Sequence, residues 1–471
     1  MTEGQARVVI VGGGPGGYEA ALVAAQLGAE VTVVDRDGPG GACVLWDCVP
    51  SKTLIATAGM MASLETSASL GIRFGAGLTA RPGSTSHAIA DAPRLYARVR
   101  ALAAAQSADV AARLAAEGVK VIAATGRLTG PHTVLAGDAE ITAGTVLIAT
   151  GARPRVLPAA QPDGERLLTC RQLYGLPELP PELIVVGSGV TGAEFASAYQ
   201  ALGSQVTLVS SREHVLPHED RDAAMVVEEV FRRRGMTVLS RSRAVAAVRE
   251  GDGVAVTLAD GRTVRGSHCL LTVGMVPNTA GIGLAEAGVA LDEHGFAAVD
   301  RVSRTSVPGV YAAGDCTGVM MLASVAAMQG RIAMWHALGE AVAPLRLSHV
   351  AATIFTEPEI ATAGVTQQAV ERGEVDARVV NLPLATNARA KMQGFRDGFI
   401  KLFARRGSGI VLGGVVVAPR ASELILGVSL AIEQLLTVDQ MAHTFAVYPS
   451  LAGSLTEAAR TLMQPADSGE R

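Results

Sequence analysis

The chain lacks the features that would assign it to several large classes of protein. Charged residues make up only 18% of its 471 positions and apolar residues 49%, with a mean hydropathy of +0.32, which excludes a disordered chain. Lysine occurs just four times, at Lys52, Lys120, Lys391 and Lys401, and there is no Lys/Arg block. With a net charge of −4, nucleic acid and anionic membrane surfaces have no electrostatic footprint to bind. No apolar run reaches the roughly 18 residues of a membrane span. Cysteine is scarce and odd in number, at five, so a disulfide scaffold is excluded and a close pair reads as catalytic or metal-binding. Glycine is abundant, at 53, but follows no three-residue period, which rules out collagen. Residues 1–7 contain Glu3 and lead straight into a strand, so a signal peptide is not expected and a cytoplasmic location is. At roughly 100–200 residues per domain, the length suggests two to four domains.

One motif organises the chain. Residues 8–11 are apolar, Gly12, Gly14 and Gly17 follow as G-x-G-x-x-G, and an Ala-rich helical stretch leads to a second strand at 31–34 that ends in Asp35. In such a βαβ unit the first Gly permits a tight turn, the second lets the backbone approach a pyrophosphate, and the third lets helix pack on strand. The terminal acid accepts hydrogen bonds from a ribose. The unit repeats 175 residues later, with residues 183–186 followed by Gly187, Gly189 and Gly192 and a strand at 206–209. In that register Asp35 maps to Ser210. The plain alternative is a glycine turn without function, but strand, helix and acid around the motif favour two dinucleotide sites. Residues 146–149 and 270–273 read as strands running into Gly151-Ala152-Arg153-Pro154 and Gly274-Met275-Val276-Pro277. Residues 155–181 are Pro-rich and polar and suit a crossover, and residues 310–315 read as a strand ending in Asp315. Beyond 344–347, strands at 399–403 and 410–417 and helices at 422–436 and 451–463 suggest an α+β unit.

Between the first βαβ unit and the next helix stand Cys43 and Cys48, followed by Pro50-Ser51-Lys52. A helix start favours a thiolate, so the pair suits redox chemistry. No second Cys/His pair with ligand spacing is present, so no metal site is expected; two bystander thiols are the plain alternative.

Together these motifs resemble the pyridine nucleotide–disulfide oxidoreductases, which include dihydrolipoamide dehydrogenase, glutathione reductase and mercuric reductase. The resemblance also rests on Ala149-Thr150-Gly151, Gly314-Asp315 and Phe355-Thr356-Glu357-Pro358-Glu359, and covers nearly the whole chain. It implies an α/β fold with two Rossmann-like domains and a C-terminal α+β dimerisation domain: residues 1–155 and 275–345 for FAD, 156–274 for NAD(P)H, and 346–471 for a homodimer interface. It also implies that Gly12, Gly14 and Gly17 hold the FAD pyrophosphate and Asp35 the ribose. Asp315 meets the ribityl or phosphate region, Ala323 follows on the next helix start, Ala124 offers a backbone contact to adenine, and Gly151 lies in the flavin turn. Lys52 and Glu194 match the pair beside the flavin's reactive nitrogen, where Cys43, Cys48, Lys52 and Glu194 are the catalytic candidates. Gly187, Gly189, Gly192, Ser210, Arg212 and Gly274 fall to the nicotinamide nucleotide.

The chain departs from the family in three places. Tyr448 and Gly453 stand where the disulfide reductases have the His and Glu that move a proton to and from a substrate thiol. Tyr, with an ordinary pKa near 10, is a poor base at neutral pH, and His443 is the nearest substitute. Trp46 and Asp47 replace small or polar residues between the cysteines; Trp46 narrows access or simply packs, and Asp47 opposes thiolate formation. Ser210-Ser211-Arg212 replaces the acid that reads an NAD ribose, which favours NADPH over NADH, with Glu213 counting against it. Thiol–disulfide exchange needs a proton donor that this chain lacks, whereas a reduced flavin can pass electrons to a quinone without one. The expected activity is therefore electron transfer from NAD(P)H through FAD to a quinone. A lipoamide-type disulfide reductase with another base, or a flavin-bound redox sensor, stays open. Mercuric reductase is disfavoured because no cysteine follows Cys316.

Overall fold

The computed structural model describes residues 5–72 and 89–463. Its first sheet is parallel, with strands in the order Val310–Ala312, Thr145–Ile148, Arg7–Val11, Glu30–Val34 and Lys120–Ile122. The central strand is buried from Val8 to Val11, as a strand covered on both faces must be. Helices Pro15–Gln26 and Ala323–Ala337 pack against each other on this sheet.

The second sheet repeats the first. Its parallel order is Thr237–Leu239, Gln205–Val209, Glu182–Val186, His268–Leu271 and Leu167–Leu168. Arg7 pairs with Glu30 and Glu182 with Gln205, so the offset read from the glycines holds for strand register too. The likeness extends to the turn. A Cβ on Gly17 would lie 1.8 Å from the Gly12 carbonyl oxygen, and one on Gly192 would lie 1.9 Å from that of Gly187. Each third glycine is needed for helix to meet strand. Each unit also carries a three-stranded antiparallel sheet, at Gly126–Gly130, Thr133–Ala136 and Ala139–Thr142 in one and Ala244–Glu250, Gly253–Leu258 and Thr263–Gly266 in the other.

The two units are joined by paired crossovers, Ala152–Pro154 lying antiparallel to Met275–Pro277. The last unit is a five-stranded antiparallel sheet in the order Ala351–Ile354, Glu359–Gly364, Val411–Ala418, Phe399–Arg405 and Ala377–Pro383. Helices Ala421–Glu433 and Gly453–Met463 cover one face of it. Among the described residues no helix is long and apolar enough to cross a membrane.

One hydrophobic core crosses all three units and positions the site. It joins Leu54 from helix Cys48–Thr66, Tyr96 from helix Ala92–Ala116, Phe195 and Tyr199 from helix Val190–Leu202, and Phe403 and Val417 from the last sheet. A buried charge cluster reinforces the docking. The Lys401 ammonium, on a side chain 2% exposed, donates to both Asp220 oxygens at 2.9 and 2.7 Å and to Asp222 at 2.8 Å. Asp220 also caps helix Arg221–Arg233, so the last sheet holds that helix by its first turn.

Candidate active site

The carboxyl ends of the first sheet open into a cavity, where an open α/β sheet binds its ligand. Gly12, Gly14, Asp35, Ala124, Gly151, Asp315 and Ala323 line it, together with Cys43 and Cys48. Gly17 lies behind the wall, in the helix–strand contact. A Cβ built on Gly14 meets nothing within 4 Å, so its backbone faces open space that a pyrophosphate can approach. Asp35 is fixed by three backbone N–H groups, those of Gly13 at 2.6 Å, Asp37 at 2.8 Å and Gly38 at 2.7 Å.

Cys43 lies in the short helix Gly41–Leu45, and Cys48 begins helix Cys48–Thr66. Both are free thiols and share a hydrogen bond. The bond from Cys48 lowers the Cys43 thiol, against burial and the charge of Asp47. Cys48 is pushed up, first by that same bond and then by burial. The helix start therefore does not activate Cys48; of the two thiols, Cys43 is the more readily ionised.

The Lys52 ammonium donates to Glu194 at 2.8 Å, with side chains 33% and 4% exposed. The second Glu194 oxygen accepts from the Phe355 backbone N–H at 2.9 Å, and the ammonium lies 5.1 Å from the Phe355 ring centroid. Burial pulls the Lys52 pKa down, but Glu194, as charge and hydrogen-bond partner, outweighs it and the net shift is upward. Asp315, across the cavity, is raised to about 6 by burial and then by Asp47.

The comparisons with known proteins agree with this geometry. Residues 6–330 match the family described as pyridine nucleotide-disulphide oxidoreductase, and residues 350–459 match its dimerisation domain. The chain belongs to this family. It is 56% identical to a Mycobacterium tuberculosis protein named NAD(P)H dehydrogenase (quinone), over 97% of this chain and 94% of that one. It is 33% identical to the dihydrolipoyl dehydrogenase of Zymomonas mobilis, over 96% of each. The crystal structure of LpdA from M. tuberculosis superposes with a TM-score of 0.91 at 55% identity, covering 98% of this chain and all of that one.

Members of this oxidoreductase family use FAD and a pyridine nucleotide, and the first cavity fits FAD. The fit rests on the open face of Gly14 and the fixed Asp35 carboxylate. The second glycine motif lies outside this cavity. Gly187 and Gly274 leave the ends of neighbouring parallel strands, and Gly189 is open as Gly14 is. Ser210, in register with Asp35, is fully buried, and its hydroxyl shares a 2.7 Å hydrogen bond with Ser188. The strand end thus presents Ser211 and Arg212 at the surface, not Ser210.

Some participants were not singled out from the sequence. Arg171 comes from the segment read only as a crossover, and its guanidinium lies 4.4 Å over the Trp46 ring, both lining the cavity. Trp46 also packs on the shared core. Asn278, directly after the Gly274–Pro277 turn, donates through its side chain to the Thr150 carbonyl at 3.0 Å and through its backbone to that of Gly151 at 2.9 Å. Arg241 pairs with Glu213 at 2.6 Å, and its backbone N–H donates to the Arg212 carbonyl at 2.7 Å. In the last unit, Tyr448 is 84% exposed and Gly453 opens the final helix. The His443 ring is turned to the Asp439 carbonyl, 2.8 Å away on its own helix. No histidine lines the cavity among the described residues, and no cluster of metal-ligating side chains occurs among them.

Proposed function

We propose that this chain is an NAD(P)H:quinone oxidoreductase that works as a cytoplasmic homodimer. One observation carries the reading: the Cys43–Cys48 pair has no His–Glu proton shuttle, because Tyr448 and Gly453 occupy those positions. The name of the 56%-identical relative agrees with it. We assign residues 1–155 and 275–345 to FAD, 156–274 to the nicotinamide nucleotide and 346–471 to the dimer interface. Gly12, Gly14, Gly17, Asp35, Ala124, Gly151, Asp315 and Ala323 hold FAD. Gly187, Gly189, Gly192 and Gly274 hold NAD(P)H, and Arg212 favours NADPH. When bound, FAD relays a hydride's two electrons from nucleotide to acceptor. Lys52 and Glu194 set the charge beside that relay. Exposed Leu426, Leu430, Phe445 and Val447 in the last unit support the homodimer.

A second reading, thiol–disulfide exchange, is favoured by the lowered Cys43 thiol and by the resemblance to dihydrolipoyl dehydrogenase. Steady-state oxidation of NADPH with a benzoquinone, lipoamide or glutathione disulfide separates them. Rapid turnover is expected with the quinone alone, and preferred turnover with either disulfide would reverse the assignment.

A further inference from the structure

We propose that Asp47 is the proton donor of the acceptor step, giving the quinone oxygen the proton that disulfide reductases move through their His–Glu pair. This deepens the quinone-reductase reading and rests on it.

The geometry starts with an unused cap. Asp47 occupies the N-cap of helix Cys48–Thr66, where an aspartate side chain ordinarily accepts a backbone N–H from the first turn. Here it accepts none. The Asp47 carbonyl still accepts from the Ser51 N–H at 2.7 Å, so the helix starts normally while the side chain is free. It lines the cavity beside Cys43, Cys48 and Trp46, and among the described residues its carboxyl has no hydrogen bond or ion pair. A charged carboxylate left unpaired in a recessed wall costs free energy, and taking up a proton removes that cost.

The surroundings favour the protonated form. Burial raises the Asp47 carboxyl most, the Glu194 charge adds to it, and Lys52 opposes. The Lys52 charge acts on Asp47 more strongly than that of Glu194, so burial carries the net upward shift. An ionised Asp47 would repel an ionised Asp315 and disfavour the Cys43 thiolate, and a neutral Asp47 carboxyl removes both conflicts.

Converting a quinone to a hydroquinone adds two electrons and two protons. The hydride drawn from NAD(P)H brings both electrons and one proton. The second passes from Asp47: its O–H bond breaks as an O–H bond forms on the quinone oxygen, and water then reprotonates the carboxylate. Since the acid form is the competent one, this step slows as pH rises through the Asp47 pKa.

The test compares FAD-loaded wild type with Asp47→Asn, reducing each with NADPH and then mixing it with 1,4-benzoquinone in a stopped-flow instrument. Asp47→Asn should retain FAD and be reduced at the wild-type rate. Its reoxidation should fall about 100-fold, the scale of a general acid, and lose its pH dependence. Infrared spectra, which do not depend on turnover, should show a titrating protonated-carboxyl band in the wild type that is absent from Asp47→Asn. Unchanged reoxidation, or a wild-type minus Asp47→Asn difference spectrum that contains no protonated-carboxyl band, overturns the assignment; a band common to both proteins belongs to Asp315. A wild type that quinone cannot reoxidise overturns the functional reading instead, and the infrared band still decides whether Asp47 holds the proton.

Discussion

Glu194 takes the Lys52 ammonium on one oxygen and the Phe355 backbone N–H on the other, at 2.8 and 2.9 Å. A single carboxylate thereby joins the helix that Cys48 begins, the helix of the second glycine motif and the strand end that opens the last unit. The site is assembled where three units meet, and this pair is its polar joint.

Replacing Glu194 by Gln keeps the Phe355 bond but leaves Lys52 without its countercharge. The expected loss is about 3 kcal/mol, the low end for a broken buried pair because Lys52 is 33% exposed. Thermal denaturation checks it as a lowered Tm. The raised Lys52 pKa gives the pH sign. The pair's stabilisation is complete below the unfolded lysine value near 10.4 and is lost as pH rises through the folded one. The Tm gap between wild type and variant should hold at neutral pH and close only in strong alkali.

Nucleotide choice should turn on Arg212 and on the Arg241–Glu213 pair. Arg212→Ala is expected to weaken NADPH by about 1–3 kcal/mol, the scale of a charge-assisted bond, and to leave NADH nearly unchanged. Glu213→Ala removes a negative charge and frees Arg241, so NADPH should bind more tightly. Kd values for both nucleotides check this, and equal changes for NADPH and NADH would show that neither arginine reads the 2′-phosphate.

Gly14→Val should abolish flavin binding without unfolding the chain, because the space beside Gly14 is open to a ligand and not to the protein. Visible absorbance of the purified variant checks it, with circular dichroism confirming the fold.

The sequence is most legible where backbone geometry dictates residue type. Gly17 and Gly192 face the same carbonyl clash, so the duplicated units could be recognised from glycine spacing alone. The strands at 399–405 and 411–418 were visible as apolar runs because both are buried along most of their length. The antiparallel sheets at 126–142 and 244–266 were not: the buried–exposed alternation of Gly126–Gly130 and Thr133–Ala136 spans only four or five residues, and Ala139–Thr142, Ala244–Glu250 and Thr263–Gly266 are largely exposed. Helix Ala92–Ala116 was not read from the sequence, because its buried stripe of Leu95, Tyr96, Val99, Ala103, Val110 and Leu114 is diluted by exposed alanines. In the site, the burial of Ser210 against Ser188 and the stacking of Arg171 on Trp46 depend on contacts between segments far apart in the chain, and no local pattern announces them.

Electrons are expected to reach the acceptor without passing through the Cys43–Cys48 pair. Cys48→Ser decides this, with NADPH-driven flavin reduction and quinone turnover measured on the same preparation. The variant should bind FAD, be reduced by NADPH at the wild-type rate and keep most of its quinone turnover. A variant that is reduced normally but no longer turns over quinone would put the cysteines on the electron path and restore disulfide exchange as the better reading.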